Sequence, residues 1–322
     1  VYKSFDGGKT WNKTLFVDDV SGIIEMDTAP DDFNIVYATA WEKDRKAWNF
    51  RGSGSGSAIY KSTDAGNTWS KVSVKGSGFP TGEGVGRIGV AVVDKNTVYA
   101  IHDNQARRPE EGEAVSDEGL EKDDFKSMSA SAFQKLDDEQ LEVFLRSNNF
   151  QKKYTAASVK KQVSNGKVKP MDLAKYLEDA NSFLFDTPVI GAEVYKSMDG
   201  GKSWKKTHEG YLDDVYYSYG YYFGRIHVDP SDANGIYIYG VPILKSKDGG
   251  KSFKSIDYNN VHGDHHALWI NPNYPGHLID GNDGGVNISY DDGASWIKCN
   301  TPSVGQFYAI NVDMEEPYNV YG

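Results

Sequence analysis

The chain has 322 residues, of which 46 are acidic and 35 basic, so its formal net charge at pH 7 is −11. This acidity disfavours nucleic acid as a partner. The single cysteine, Cys299, excludes an internal disulfide. No apolar run approaches the length of a membrane span. The chain is long enough to bury a large hydrophobic core.

An eight-residue pattern, Ser-x-Asp-x-Gly-x-x-Trp, occurs four times, and a fifth copy has Phe in place of Trp. Asp accepts backbone hydrogen bonds at a turn, Gly supplies the positive φ that closes a hairpin, and Trp packs back across it. Because every position serves the turn, the repeat predicts structural hairpins, not catalytic residues. The five copies are Ser4, Asp6, Gly8, Trp11; Ser62, Asp64, Gly66, Trp69; Ser197, Asp199, Gly201, Trp204; Ser246, Asp248, Gly250, Phe253; and Ser289, Asp291, Gly293, Trp296.

An alternating apolar strand, a turn and a second strand precede the hairpins, as in Ile226–Asp229 followed by Ile236 and Tyr237. Each unit then contains four antiparallel strands in roughly 45–50 residues, which is typical of a β-propeller blade. We therefore predict an all-β fold, a β-propeller of four-stranded blades. The chain holds four complete blades and two half blades by this interpretation.

The blade pattern is interrupted after His102. Asp137–Arg146 places Leu141, Phe144 and Leu145 on one helical face, and Pro170 suits the first turn of another helix. A small α-helical insertion is predicted here, with apolar residues that pack on each other or on the propeller. The expected organisation is propeller blades at 1–102, the helical insertion at 103–188 and further blades at 189–322.

The eight-residue repeat resembles the Asp-box, or bacterial neuraminidase repeat. Similar repeats occur in sialidases, in xyloglucan-hydrolysing glycosidases and in the ligand-binding propeller of the sortilin family. The resemblance covers every blade and implies the propeller fold. It leaves function open, because these families cut glycans, bind peptides or do neither. The chain begins and ends within a blade. We therefore expect an excerpt of a larger secreted bacterial protein, in preference to two half blades that close a ring of five.

Strand direction alternates, so the repeated hairpins all lie on one face of the propeller. The loops that join strands two and three, or strand four and the next blade, lie on the other. The long and chemically unusual segments belong to this second set: 41–57, the helical insertion, the Tyr-rich segment 210–224, the His-rich segment 259–266, and 281–285. Elaborate loops on a rigid scaffold usually carry binding. We therefore predict that a ligand binds the face opposite the hairpins.

The ligand-binding candidates are aromatic, cationic and amide side chains of this loop face. Arg87 and Arg225 each begin a first strand. They either bind a carboxylate bidentately, as arginine clusters do in sialidases, or form ion pairs between blades, which we favour. The histidines are of metal-ligand type but lack a zinc-motif spacing, so we predict hydrogen bonds at strand ends, with no metal and no cofactor. The candidates are Trp41, Trp48, Arg51, Arg87, Tyr216, Tyr219, Tyr222, Arg225, His262, His265, His266 and Asn282.

Three functions remain open. The leading hypothesis is a secreted or cell-surface bacterial recognition module that binds a glycan or an extended peptide on the loop face. The alternative is a glycoside hydrolase, which needs two carboxylates flanking the scissile bond. Its candidates are Asp213, Asp214, Asp264 and Asp283, although acidic residues are also expected on a solvated surface. The third hypothesis is a structural propeller that docks to other domains of the same longer chain.

Overall fold

The computed structural model of the chain describes residues 1–108, 119–122, 124–148, 150–151, 153–178, 189–213, 215–216, 220–257, 261–299 and 309–321. Within these residues, four antiparallel sheets have four strands each, in sequence order. Sheets of this kind, repeated along the chain, are the blades of a β-propeller. No helix in the described ranges is long and apolar enough to cross a membrane.

The strands follow the predicted order of hairpin, blades and final strand pair. The chain begins with β1 (Tyr2–Lys3) and β2 (Asn12–Lys13). Blade A contains β3 (Ser21–Ala29), β4 (Asp32–Glu42), a protruding hairpin of β5 (Asp44–Lys46) and β6 (Asn49–Arg51), β7 (Ala58–Ser62) and β8 (Ser70–Lys71). Blade B contains β9 (Val85–Val92), β10 (Val98–Arg107), β11 (Val189–Ser197) and β12 (Lys205–Lys206).

The remaining strands complete two further blades. Blade C contains β13 (Arg225–Asp229), β14 (Asp232–Tyr239), β15 (Ile243–Ser246) and β16 (Lys254–Ser255). Blade D contains β17 (His265–Ile270), β18 (Leu278–Asn282), β19 (Gly285–Ser289) and β20 (Ile297–Lys298). The last pair is β21 (Asn311–Val312) with β22 (Val320–Tyr321).

The first strands of blades A, B and C lie side by side at the inner edge of their sheets. β9 is buried along its whole length because it packs between β3 and β13. Close approach needs small residues there. A Cβ on Gly89 would come within 2.0 Å of the Gly224 carbonyl oxygen, so a larger residue does not fit. The first strands therefore bring residues from three blades together.

The repeated hairpins share one hydrogen-bond pattern. In each copy the Ser hydroxyl donates to the Asp carboxylate and accepts from the amide of the Gly four residues on, as at Ser197, Asp199 and Gly201 with 2.8 Å for both bonds. The other copies match within 0.1 Å. The same Asp carboxylate also accepts from the backbone four residues on. These carboxylates are occupied by the turn that they stabilise.

In blades A to D, the hairpin also contacts the turn between the first two strands of its own blade. The amide of Gly200 donates to Asn96 O at 2.8 Å, and that of Gly249 to Asn234 O at 3.1 Å. Third-strand lysines reach the hairpin of the next blade, where Lys3 Nζ donates to Ala65 O at 2.7 Å and Lys61 Nζ to Gly200 O at 2.9 Å. The hairpins and the turns between the first two strands of each blade thus form one face. The lysine bonds on this face link neighbouring blades.

The helical insertion lies between β10 and β11 and has its own core. Its helices are α1 (Asp124–Ser127), α2 (Ala130–Gln134), α3 (Asp138–Ser147), α4 (Ala156–Ser164) and α5 (Pro170–Glu178). Phe125, Leu141, Phe144 and Leu173 belong to a buried cluster made only of residues from this segment. β10 continues to Arg107, which pairs with Val189 of β11. The expected domain boundary at 102 therefore lies inside a strand.

Candidate functional site

The loops opposite the repeated hairpins are tied to one another by backbone hydrogen bonds. Gly54 N donates to Val85 O at 3.0 Å, and Val241 N donates to Val215 O at 2.9 Å. The first bond joins blade A to blade B, and the second joins the segment between blades B and C to blade C. Asp264 N donates to Val241 O at 3.0 Å, which joins blade D to blade C. The loops of blades A to D thus form a continuous surface, which we call the loop face.

A row of rings crosses the loop face from blade A to blade D, and we call it the aromatic track. Phe50 of β6 lies 4.6 Å from Tyr221 between ring centroids, and Tyr221 lies 4.4 Å from Tyr222. Phe223 follows at 6.4 Å and contacts His266 of β17 at 5.7 Å with nearly parallel planes. Tyr222 is 49% exposed, whereas Phe223 is buried. The track has an apolar base and open ring surface at Tyr222.

His266 connects the track to a carboxylate. Its Nε2 lies 3.1 Å from Asp283 Oδ1, and both side chains are about half exposed, at 48% and 57%. His262 is also exposed, and its Nδ1 lies 2.9 Å from the Gly263 carbonyl oxygen. The blade D end of the track therefore offers polar hydrogen-bonding groups beside the stacked rings.

Beneath the track lies a group of polar side chains that we call the axial cluster: Glu25, Arg87, Asp103, Tyr216 and Arg225. Arg225 Nη1 lies 3.0 Å from Glu25 Oε1, so an ion pair joins β13 to β3 across β9. The sequence favoured such ion pairs between blades for both Arg87 and Arg225, and this one confirms the prediction for Arg225. The described residues show no ion pair for Arg87, whose guanidinium donates to backbone carbonyls instead. Sequence reasoning missed the partner of Arg225, which is Glu25.

Arg87 holds the track in place from below. Its Nη1 donates to the carbonyl oxygens of Tyr221 and Tyr222 at 3.2 and 2.9 Å. Gly220 lies directly on Asp103, because a Cβ there would come within 2.1 Å of Asp103 Cγ. Tyr216 stacks on Phe223 at 6.3 Å with an interplanar angle of 9°. The axial cluster is the floor on which the track rests.

Burial dominates the electrostatics of the axial cluster. It raises the pKa of Asp103 to about 7, although hydrogen bonds from Gln105 and the charge of Arg87 oppose the rise. It also raises the pKa of Glu25 against the opposing effect of Arg225. Glu25 Oε2, Arg87 Nε and the Tyr216 hydroxyl have no hydrogen-bond partner among the described residues. Unpaired buried groups of this kind are uncommon in folded proteins.

His265 is clamped between two carboxylates. Its Nδ1 lies 2.9 Å from Asp280 Oδ2, and its Nε2 lies 3.5 Å from Asp257 Oδ2. Burial lowers the pKa of His265, but hydrogen bonding and charge from Asp257 and Asp280 outweigh it and raise the pKa to about 9. Asn282 donates to Asp280 Oδ2 at 2.7 Å. His265 thus belongs to a buried network, and the partly exposed Asn282 is hydrogen-bonded to it.

No group of three or more His, Cys, Asp or Glu side chains in the described part of the chain is arranged to hold a metal ion. The two nitrogens of His265 face different carboxylates. An imidazolium carries a proton on each nitrogen and so has no lone pair for a metal. The clamp is therefore an ion-pair network.

The structure corrects the position expected for two aromatic candidates. Trp41 is buried and its Nε1 donates to Gly52 O at 2.7 Å, so its ring packs inside blade A. Tyr216 is 1% exposed because Phe223 covers it. Trp48 is 73% exposed at the end of the β5–β6 hairpin. Arg51 forms an ion pair with Glu42, with 3.0 Å between Arg51 Nη2 and Glu42 Oε1.

Among the described residues, no hydrogen bond joins one carboxylate candidate to another. Asp213 pairs with Arg108 at 2.7 Å, and Asp283 pairs with His266. Asp264 has a positive φ of 60° and its amide donates to Val241 O. Asp214 and Tyr219 lie outside the described residues.

Comparison with known proteins yields no family assignment, since no family model and no curated protein matches the chain. Among solved structures, an ancestral GH74 enzyme is 14% identical with a TM-score of 0.46, over 97% of this chain and 30% of its own. The GH93 α-L-arabinofuranosidase of Fusarium graminearum with arabinobiose is 14% identical with a TM-score of 0.39, over 92% of this chain and 70% of its own. YCF48 bound to D1 peptide is 10% identical with a TM-score of 0.34, over 85% of this chain and 56% of its own.

This chain thus spans 30% of the ancestral GH74 enzyme. All three TM-scores are below 0.5. The propeller class therefore rests on the four sheets described above, and these likenesses decide nothing about activity.

Sequence reasoning missed Glu25, Asp103, Asp257 and Asp280. Two of them carried a readable signal, because Glu25 interrupts an apolar strand and Asp103 follows directly after one. A charged residue in a predicted inner strand needs a partner when it is buried. That rule would have marked both positions, although it does not name the partner.

Proposed function

We propose that this chain is a recognition propeller that binds a glycan along the aromatic track. The observation that carries the proposal is the row of five rings from Phe50 to His266, which spans the loop face. Sugar rings have apolar C–H faces that pack on aromatic rings, and their hydroxyls need polar partners at the edge. Tyr222 offers the ring surface, and the His266–Asp283 pair offers polar groups.

The geometry favours a glycan over an extended peptide. A peptide bound as an added strand needs free backbone donors and acceptors at a sheet edge. Along the track, the carbonyls of Tyr221 and Tyr222 already accept from Arg87. The track therefore presents side-chain rings in place of backbone groups, which suits stacking.

The axial cluster supports this function by holding the track rigid. Arg87 fixes two consecutive carbonyls, and Tyr216 supports Phe223 from below. A surface ordered before binding loses less conformational entropy when the ligand arrives. We infer that the buried charges serve recognition indirectly, by positioning Tyr221 and Tyr222.

The test is binding to a panel of plant, bacterial and sialylated oligosaccharides, measured by retention and calorimetry. Replacing an exposed stacking ring should weaken binding by tenfold or more, about 1.4 kcal/mol. We expect this for Tyr222→Ala. The matched control is Tyr274→Ala, because Tyr274 is 57% exposed in the turn between β17 and β18, on the opposite face. Equal affinities of the two variants would contradict the proposal.

A second candidate function is glycoside hydrolysis. It is favoured by the raised pKa values of Glu25 and Asp103 beneath the track, since a general acid must hold its proton near neutral pH. This role requires the segment above Asp103 to move aside, because Asp103 is 1% exposed and Gly220 lies directly on it. New reducing ends or free sialic acid from the same panel, lost in Asp103→Asn and Glu25→Gln, would establish hydrolysis. Retention without new ends would leave the recognition function.

We propose a location outside the cell or on a bacterial cell surface, where a glycan ligand is accessible. The poverty in cysteine is compatible with a bacterial secreted protein. Fractionation of the producing cells with an antibody to this chain tests the proposal. Detection in the cytosolic fraction alone would contradict it. If no soluble ligand is found, docking to other domains of a longer chain is the remaining proposal.

A further inference from the structure

We infer that the glycan is acidic, and that its carboxylate groups are bound by three lysines of the helical insertion. These are Lys161, Lys167 and Lys169, which we call the lysine turn. The inference rests on the proposed function, since it names the chemical class of the same ligand. It concerns a surface that is separate from the aromatic track.

Charge is segregated along the helical insertion. Between Glu121 and Glu142 the sequence has seven acidic and three basic residues. Between Lys153 and Leu177 it has six lysines and one acidic residue, Asp172. The chain as a whole has a net charge of −11, so a cationic surface here runs against its average. Such segregation favours attraction of an anionic partner.

Lys161 and Lys167 flank a tight turn that follows α4, and Lys169 lies two residues further along the chain, just before α5. Asn165 N donates to Lys161 O at 3.1 Å, and Lys167 N donates to Gln162 O at 3.0 Å. All three side chains are exposed, and they have no ion pair with any residue that the structure describes. Lys160 differs, because it pairs with Asp138 of α3 and donates to Leu136 O. The lysine turn therefore has charge that the fold itself does not use.

Stabilisation of a helix end explains only part of this charge. A cation near the last turn of a helix interacts favourably with the helix dipole. That account covers Lys161, which lies in the last turn of α4. Lys167 and Lys169 lie beyond α4 and before the first residue of α5. The helix dipole therefore does not account for Lys167 and Lys169.

The insertion belongs to the same face as the aromatic track. It leaves blade B at Arg107 and returns at Val189, at the loop end of β10 and β11. Arg108 lies over the Tyr211 ring at 4.1 Å and pairs with Asp213. Both contacts are with the segment that leads from β12 to Tyr221. The insertion and the track therefore both emerge at the loop ends of the strands.

The residue types favour a carboxylated glycan over a nucleic acid. No arginine occurs between Lys153 and Leu177. Recognition of phosphate commonly uses the bidentate guanidinium, and single-stranded nucleic acids stack on exposed aromatic rings. The two tyrosines of this segment, Tyr154 and Tyr176, pack against the core of the insertion. Spaced ammonium groups alone suit the dispersed carboxylates of a uronic-acid polymer.

The experiment uses one oligosaccharide in two forms on the full chain. The acidic probe is a uronic-acid oligosaccharide, and the neutral probe is the same oligosaccharide with its carboxyl groups reduced to alcohols. We expect the acidic probe to bind about tenfold more tightly at low ionic strength, with a smaller preference at high ionic strength. The triple variant Lys161→Gln, Lys167→Gln, Lys169→Gln should bind both probes equally.

The matched control removes three lysines from the opposite face. Lys9, Lys202 and Lys251 are exposed and occupy the same position in three repeated hairpins. Replacing them with Gln changes the net charge equally and should keep the preference for the acidic probe. An equal loss in both triple variants would overturn the inference, since net charge alone would then explain the preference.

The remaining outcomes separate this inference from the proposed function. Equal binding of both probes by the unaltered chain, with loss in Tyr222→Ala, would overturn the acidic ligand and keep glycan recognition. Acidic binding that survives Tyr222→Ala but is lost in the lysine variant would support the lysine turn and overturn the track as the glycan site. Displacement of the acidic probe by a DNA duplex at equal charge concentration would overturn the carboxylated glycan, because the lysines would then bind any polyanion.

Discussion

The His265 clamp makes the stability of the protein depend on pH above neutrality. The pKa of His265 is about 9 in the folded state, and its ordinary value is 6.5. Because the folded state binds this proton more tightly than the unfolded state, the stabilisation is complete below about pH 6.5. It is lost as the pH rises through about 9.

The magnitude follows from these two pKa values. By linkage, His265 contributes about 2.5 kcal/mol to the free energy of unfolding at pH 7 and about 0.5 kcal/mol at pH 9. The protein therefore loses about 2 kcal/mol of stability between these two pH values. The carboxyl groups of an unfolded chain are charged throughout this pH range. The imidazole is fully enclosed, so solvent screening does not reduce the contribution greatly.

Urea denaturation at pH 7, 8 and 9 measures the effect as a free energy of unfolding. His265→Gln should lower stability at pH 7 and remove about 2 kcal/mol of the decline between pH 7 and 9. His227→Gln is the control, because burial lowers the pKa of His227 to about 4, so that this residue does not titrate in that range. Asp257→Asn should move the decline to lower pH. Parallel profiles of the unaltered chain and His265→Gln would refute the reasoning.

Three further predictions concern the stability of the scaffold. Trp204→Ala should lower the free energy of unfolding in urea by about 3–5 kcal/mol, because Trp204 is buried. Trp11→Ala, at the same position of the motif, should lower it by less than about 1 kcal/mol, because Trp11 is 61% exposed. Similar losses in the two variants would show that burial does not set the effect. Lys61→Met should cost about 1 kcal/mol by removing the bond to Gly200 O in the next blade, and an unchanged denaturation midpoint would mean that this link is not stabilising. Replacing 109–188 with Asn-Gly should leave a folded propeller with an unchanged β-sheet circular dichroism spectrum, because Arg107 and Val189 already pair; an unfolded product would show that the propeller needs the insertion.

The hairpins, the two faces and the insertion could be predicted from sequence. Ser197, Asp199 and Gly201 bond to groups within four residues, so their geometry is local and the motif encodes it. The division into a hairpin face and a loop face follows from strand alternation alone. The stripe of Leu141, Phe144 and Leu145 likewise indicated a helix with one buried side.

The candidate site could be predicted only in part. The sequence placed the Tyr-rich segment and the histidines on one face. It did not distinguish Tyr216, which is buried, from Tyr222, which is half exposed, because both lie in the same segment of tyrosines. Which ring faces solvent depends on Phe223 and on the loops of neighbouring blades.

Sequence by itself determined the features that depend on residues close together in the chain. These are the turn type, the strand alternation, the helical periodicity and the face on which each loop emerges. Only the tertiary structure decided the partners of buried charges. Glu25 and Arg225 are 200 residues apart, and they meet because β3 and β13 flank β9 at the inner edge of the propeller. Asp257 follows β16 of blade C and Asp280 lies in β18 of blade D, and the two carboxylates enclose His265 between them. Charges removed from water must find a partner nearby in space, and blade packing sets that distance independently of separation along the chain.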